Sequence, residues 1–242
     1  MALVLAGCGA STERVYQGWV EADLIFISPD EYGRVAKLAV REGDRVEAGA
    51  PLFSLDDDLQ QADLNQHNAT LANARQTHER TQALSRTGAG TQAALDSALS
   101  ALRVAEARVN TAQTRLARRR AIAPIAGTVQ QVYFREGETV PAQRPVLAIL
   151  PPGNMKVRFF VPEKDLARIA LGQEVRVGCD SCSPDIAATI HFIATAAEYT
   201  PPVIYSLDER AKLVFMVQAR PAAPDKLRVG QPVDVRLRSG VP

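Results

Sequence analysis

Cys179 and Cys182 have the C-x-x-C spacing that serves redox exchange or half of a metal site. A zinc site needs about four ligands, and no second cysteine pair completes this one. His67, His78 and His191 are scattered, and His191 alone does not supply the rest. A thioredoxin-type pair stands at a helix N-terminus, whereas Cys179 follows a strand pattern. In an oxidising compartment a local disulfide is the favoured reading; two free thiols and a metal are the alternatives. No other residues form a catalytic constellation, and no glycine loop of the phosphate-binding kind is present. The expectation is a protein without enzymatic activity, resident metal or cofactor.

The totals agree with that class. The chain has 242 residues and a formal net charge of +1, enough for two or three small domains and without the basic excess of a nucleic-acid binder. Aromatic residues are 5%, as suits slender helices and small β-domains. No stretch approaches the roughly 20 apolar residues of a membrane-crossing helix.

Two helices with a short turn between them are expected across Asp57 to Arg120. Leu95, Leu102, Val109 and Leu116 recur every seven residues, with Ala98, Ala105 and Ala112 between them. That is an a/d seam in which alanine permits close approach, and a strict seven-residue period implies a left-handed supercoil. Folding the chain back at Arg86–Thr87 pairs Leu64 with Val109, Leu71 with Leu102 and His78 with Leu95, so the partner is the preceding helix. The turn Arg86-Thr-Gly-Ala-Gly-Thr91 has the glycines to end one helix, and Thr91 is a suitable N-cap for the next. Each arm of about 28 residues is roughly 42 Å long. Asn65, His67, Asn68 and Asn73 dilute the apolar face of the first arm. An ordinary helical pair within a globular core is the competing reading.

A repeat flanks these helices. Gly33-Arg-Val35 and Gly127-Thr-Val129 open two similar segments. They continue as Arg41-Glu-Gly-Asp-Arg-Val46 and Arg135-Glu-Gly-Glu-Thr-Val140, always 94 positions apart. Alternating Val35, Leu38, Val40 and Val129, Val132, Phe134 mark half-buried strands. Gly43 and Gly137 belong in turns with positive φ, and Pro51 and Pro145 at strand starts. Neither half buries a core alone; together they make a β-sandwich with pseudo-twofold symmetry.

Pro151-Pro-Gly153 marks a boundary. Beyond it, Met155 to Val161 alternates as a strand. Pro162 to Leu171 reads as a short helix with Gly172 as its cap. Gly172-Gln-Glu-Val175 is echoed by Gly230-Gln-Pro-Val233, and strands are expected over Ala187 to Thr195 and Lys212 to Ala219. These short strands make a small β-barrel. The domain plan is therefore 1–13 leader, 14–56 N-terminal strand and first half-sandwich, 57–121 helical hairpin, 122–150 second half-sandwich, and 151–239 barrel. The fold class is mixed α and β, elongated and modular: a split lipoyl-like β-sandwich with an inserted antiparallel coiled-coil hairpin, followed by the barrel.

Three resemblances follow. Leu5-Ala6-Gly7-Cys8 resembles the lipobox of bacterial lipoproteins, which implies lipidation of Cys8 and a tether to a membrane from outside the cytoplasm. The duplicated β-unit resembles the lipoyl/biotinyl fold. Its modified lysine is missing from the segments beside the splice, Ser54 to Asp58 and Ala121 to Pro124, so a swinging-arm carrier is disfavoured; Lys37 reads as a solvated strand residue. A split lipoyl motif around a helical hairpin is similar to the HlyD-type membrane fusion proteins, over roughly residues 20 to 239. Members that meet TolC-like channels carry R-x3-L-x6-S across the hairpin turn. Arg80 and Leu84 match it, Thr91 stands in the serine position, and Gln92-Ala-Ala-Leu95-Asp96 resembles the second-helix start.

The resemblance implies a non-enzymatic periplasmic adaptor for efflux of small molecules. It would be lipid-anchored to the inner membrane and would form a homo-oligomeric, hexameric ring. Its partners would be an inner-membrane exporter and a TolC-like outer-membrane channel. In that setting Arg80 bonds carbonyls or carboxylates of a partner helix, Leu84 fills a groove and Thr91 caps or hydrogen-bonds. The plainer alternative leaves Arg80 solvated, Leu84 packed in the turn and Thr91 a cap only. Glu198-Tyr-Thr-Pro-Pro-Val-Ile-Tyr-Ser206 resembles the subgroup that serves ABC-type exporters. A resistance–nodulation–division pump is the rival partner. A structural envelope coiled-coil protein and a lipoyl or biotinyl carrier are rivals from other classes.

Overall fold

The computed structural model describes residues 14–180, 185–199 and 213–237. The elements begin with β1 (Val15–Ala22), β2 (Ile25–Ile27), β3 (Gly33–Leu38), β4 (Arg45–Val46), β5 (Pro51–Leu55), α1 (Asp58–Arg86) and α2 (Gln92–Ala117). There follow β6 (Arg120–Ile122), β7 (Gly127–Val132), β8 (Thr139–Val140), β9 (Leu147–Leu150), β10 (Met155–Pro162), α3 (Glu163–Leu166), β11 (Glu174–Gly178), β12 (Ile186–Tyr199), β13 (Leu213–Pro221) and β14 (Pro232–Leu237). They fall into two units. Ile25–Ile149 is one; residues up to 24 join those from 150 onward in the other.

In the unit Ile25–Ile149, two four-stranded sheets run β2-β9-β7-β4 and β6-β5-β3-β8. Shifting the sequence by 94 residues carries β3 onto β7 and β4 onto β8, so one sheet order becomes the other. Each sheet takes strands from both halves of the repeat, because either half alone would leave its apolar face in water. Val35, Leu52, Val129, Val140, Val146 and Leu147 are buried in the shared core. Each such side chain contributes about 1.5–3 kcal/mol.

The symmetry extends to individual hydrogen bonds. Gly43 N–H donates to Val129 O and Gly137 N–H to Val35 O, both at 2.8 Å. The Glu136 carboxylate accepts from Leu38 N–H and the Glu42 carboxylate from Val132 N–H, again both at 2.8 Å. The paired motifs therefore do one job twice: a left-handed glycine turns the chain (φ 91° and 89°), and the glutamate before it satisfies a strand amide of the opposite half.

In the other unit, β1-β10-β13-β12-β11-β14 closes into a six-stranded barrel. Its core holds Val20, Val157, Phe159, Val161, Ile190, Val217 and Val235. The domain plan needs correction here. Residues 14–24 do not belong with the first half-sandwich. β1 lies between β10 and β14, pairing Val20 with Val157 and Gly18 with Val233. Without it two barrel strands would expose unpaired edges. Gly18 is required at that position, since a Cβ there would run into the Arg158 carbonyl oxygen.

The expected helix over Pro162 to Leu171 is also shorter, ending at Leu166. Arg168 N–H and Ile169 N–H bond three residues back, so the chain continues in turns. Gly172 does not cap a helix: its N–H donates to Ile190 O at 2.8 Å. Its echo Gly230 donates to Val20 O, and Gln173 and Gln231 accept from Ala170 N–H and Arg228 N–H. The Gly-Gln echo is one barrel turn used twice.

Candidate functional site: the turn and root of the helical arm

α1 and α2 interrupt the sandwich between β5 and β6. In α2, Ala98, Ala105, Val109 and Ala112 are buried, with Leu95, Leu102 and Leu116 half-buried on the same stripe. α1 has no buried residue; its half-buried Leu64, His67, Leu71, Ala74 and His78 form the facing stripe. Asp63 and His67 share a groove with Ala107, Thr111 and Arg115, while Thr70 and Thr77 share one with Ser97 and Ala101. The helices thus run antiparallel and reverse between Arg86 and Gln92. His67 Nε2 lies 3.4 Å from Asp63 Oδ1, one turn earlier.

The turn is tightly specified. Leu84 O accepts from Ala89 N–H and Gly90 N–H at 3.0 Å each, and from Thr87 Oγ1. Gly88 has φ +75°, which L side chains rarely adopt. A Cβ on Gly90 would lie 2.9 Å from Ser85 N. Thr91 is extended and its Oγ1 accepts from Ala94 N–H at 3.2 Å, an N-cap; the hydroxyl keeps its own proton to donate. Leu84 is 46% exposed, so it does not close the turn's interior. Arg80 is exposed, one helical turn before Leu84, and has no partner among the described residues. Arg80, Leu84 and Thr91 therefore stand together at one end of the arm.

The other end has residues that sequence reasoning passed over. Arg118, Arg119 and Arg120 each meet a carboxylate of the first half: Asp30 at 3.4 Å, Glu31 at 3.1 Å and Asp57 at 3.7 Å. Arg119 is 8% exposed. Its Nη1 donates to Tyr32 O at 2.9 Å, and the Gln60 amide lies against its Nη2 and Nε, which assigns the amide oxygen to that side as acceptor. Beside it, the Arg34 guanidinium, bonded at 2.6 Å, and then the Asp58 N–H hold the Asp56 carboxyl below its ordinary value. The run of three arginines and the acids at 30, 31 and 57 were the available signal; nothing local says that they meet.

Cys179 takes part in a disulfide and its Sγ accepts from Gln231 Nε2 at 2.9 Å. Cys8, Cys182 and positions 200–206 lie outside the described residues. Among the described residues no three His, Cys, Asp or Glu stand close enough to hold a metal ion, and no helix is long and apolar enough to cross a membrane.

A family model described as the barrel-sandwich hybrid domain of RND membrane fusion proteins matches residues 25–150. The chain belongs to the membrane fusion proteins. This membrane fusion protein is 28% identical over 276 aligned positions to a UPF0194 membrane protein of Acidithiobacillus ferridurans, covering 86% of this chain and 82% of that one. A UPF0194 membrane protein of Yersinia pseudotuberculosis is 33% identical over 119 positions, which cover 48% of this chain and 36% of the relative. Among solved structures, a MacA–MexA chimera containing the Pseudomonas aeruginosa MexA α-hairpin domain aligns with TM-score 0.76. That match has 21% identity and covers 94% of this chain and 81% of the other. The membrane fusion protein Spr0693 of Streptococcus pneumoniae aligns with TM-score 0.72, 19% identity and 94% and 100% coverage. Those two likenesses concern the fold.

Proposed function

We propose that this membrane fusion protein is a non-enzymatic periplasmic adaptor. It joins an inner-membrane exporter of the ABC type to a TolC-like outer-membrane channel for efflux of small molecules. The observation that carries this reading is the end of the arm: an exposed Leu84, an Arg80 without a partner among the described residues and a Thr91 hydroxyl with a free proton, on a turn whose amides at 87–90 are all bonded. A turn with no docking role would leave its arginine solvated but pack its leucine, so it is the exposed Leu84 that favours docking. α1 and α2 act as an antiparallel coiled coil, and its weak first stripe, with His67 and His78, gains stability from neighbouring copies in a hexameric ring. A lipid on Cys8 holds the chain at the inner membrane, and a Cys179–Cys182 disulfide ties off the end of β11.

A resistance–nodulation–division pump is the second reading for the inner-membrane partner, favoured by the family description that matches residues 25–150. Affinity capture of the full chain from crosslinked membranes tests both. An ATP-binding exporter subunit and an outer-membrane channel are the expected companions; a proton-driven pump in place of the exporter would support the second reading. Leu84→Asp is expected to leave folding intact and to abolish crosslinking to the channel. Crosslinking at wild-type levels would remove the turn from the mechanism.

A further inference from the structure

We infer that the outer wall of the barrel holds a binding groove for an organic cation with an aromatic or aliphatic body. A cavity of about 1180 Å³ opens along β1 and β14, ample for a drug-sized molecule, whose pockets run to about 300–1,000 Å³. The groove offers two aromatic faces. Trp19 is 38% exposed, and its ring centroid lies 5.4 Å from that of Phe160 at a tilt of 41°. The indole is held in place: Trp19 Nε1 donates to Glu21 Oε1 at 2.9 Å, and Arg158 Nη1 donates to the same oxygen at 2.8 Å. Its N–H is therefore spent and its π face is left for a guest.

Charge decides what that guest is. Asp180, Glu198 and Asp234 line the groove, and no lysine or arginine does so among the described residues. None of the three carboxylates has an ion pair among the described residues. Of the arginines on the same wall, Arg158 is held by Glu21 at 2.8 Å and Arg236 by Asp185 at 3.0 Å, while Arg176, opposite Arg236 on β11, is exposed and lies outside the groove's described lining. Tyr16 also lines the cavity; it is 5% exposed and its hydroxyl has no hydrogen-bond partner. Burial raises its pKa above the ordinary value against the opposing pull of Arg14 and Arg168, of which Arg14 is paired with Asp165; Tyr16 itself stays neutral. Unbalanced carboxylates beside tryptophan and phenylalanine faces attract positive charge twice over, by Coulomb force and by the ring quadrupole. A compact metal ion is not the fit, since among the described residues the acids are not gathered into a ligand set. A diffuse cation with apolar substituents matches both the faces and the field. This inference does not rest on the adaptor reading and stands if that reading fails.

The chain has one tryptophan, so Trp19 reports on the groove directly. Titrating the full chain with tetraphenylphosphonium is expected to change Trp19 fluorescence saturably, while neutral triphenylphosphine oxide binds about tenfold or more weakly. Raising the salt to about 0.5 M should weaken the cation several-fold. The Glu198→Gln, Asp234→Asn double variant alters only exposed, unpartnered carboxylates and should keep its circular dichroism spectrum while losing about tenfold in affinity. Equilibrium dialysis with Trp19→Leu is an independent readout and should show the same loss. Equal binding of the neutral compound, an unchanged affinity in the double variant, or full retention by Trp19→Leu would overturn the assignment.

Discussion

Replacing Gly33 with alanine tests the root of the arm. A Cβ at that position would lie 2.8 Å from Arg119 Nη1, with Leu55 Cδ1 and Cβ at 3.1 and 3.4 Å. Restoring ordinary contact requires Nη1 to retreat by roughly 0.6 Å, to the 3.4 Å at which van der Waals contact begins. That nitrogen is bonded to Tyr32 O at 2.9 Å and the side chain is buried, so it cannot swing into water. Losing a hydrogen bond with a charged donor costs about 1.5–3 kcal/mol. The alanine returns about 0.4–1 kcal/mol by restricting the unfolded chain. The Glu31 carboxylate contributes little to this sum, since it is about half exposed and water replaces its partner. The net destabilisation is about 1–2 kcal/mol. In an Arg119→Met background the closest obstacle is gone and only Leu55 Cδ1 at 3.1 Å has to give, so the same alanine should cost about 1 kcal/mol less than in the parent chain.

Urea denaturation followed by two probes measures this. Far-ultraviolet circular dichroism reads α1 and α2, both within Ile25–Ile149, whereas Trp19 fluorescence reads the barrel. The helical transition should move and the tryptophan transition should stay. If Gly33→Ala costs the same with and without the arginine, Arg119 is not the reason for glycine at position 33.

Two further outcomes are expected. The Asp56 carboxyl should titrate below its ordinary value of 3.8, chiefly because Arg34 donates to it and then because Asp58 N–H does. A carboxyl depressed in the folded state stabilises above its unfolded pKa and loses that contribution as pH falls through the folded one. Arg34→Met should therefore return the titration towards 3.8, as read by carboxyl NMR, and remove part of the acid sensitivity; an unmoved titration would refute the pairing. At the equivalent turn positions Gly49 and Gln143, φ is 83° and 61°. Both backbone amides make the same crossed bond, to Ala123 O and Pro29 O. Gly49→Gln should cost about 1–2 kcal/mol, the left-handed penalty of a side chain, while Gln143→Gly should be neutral or stabilising in thermal melts.

Much of the molecule could be read from the chain itself because its signals are local or periodic. The heptads of α2 name the residues that the helix buries. The glycines at 88 and 90 and the hydroxyl at 91 set the reversal. The repeat at 94-residue spacing reappears strand for strand, and its glycine–glutamate turns dictate their own hydrogen bonds. The sequence by itself therefore determined the two halves of the sandwich, the arm between them and the side chains Arg80, Leu84 and Thr91 at its end. Three things were decided only by tertiary structure. β1 joins the barrel and not the sandwich strands that follow it, because an amphipathic strand carries no label for the sheet whose edge it will close. Arg119 is buried against Glu31, Tyr32 and Gln60, and three arginines in a row read as a solvated run until strands from both halves bring the acids of positions 30 and 31 to them. Trp19 and Phe160 meet beside unpaired carboxylates for the same reason: strand alternation says which side chains face outward, but only the order of strands in the closed barrel says which outward faces become neighbours.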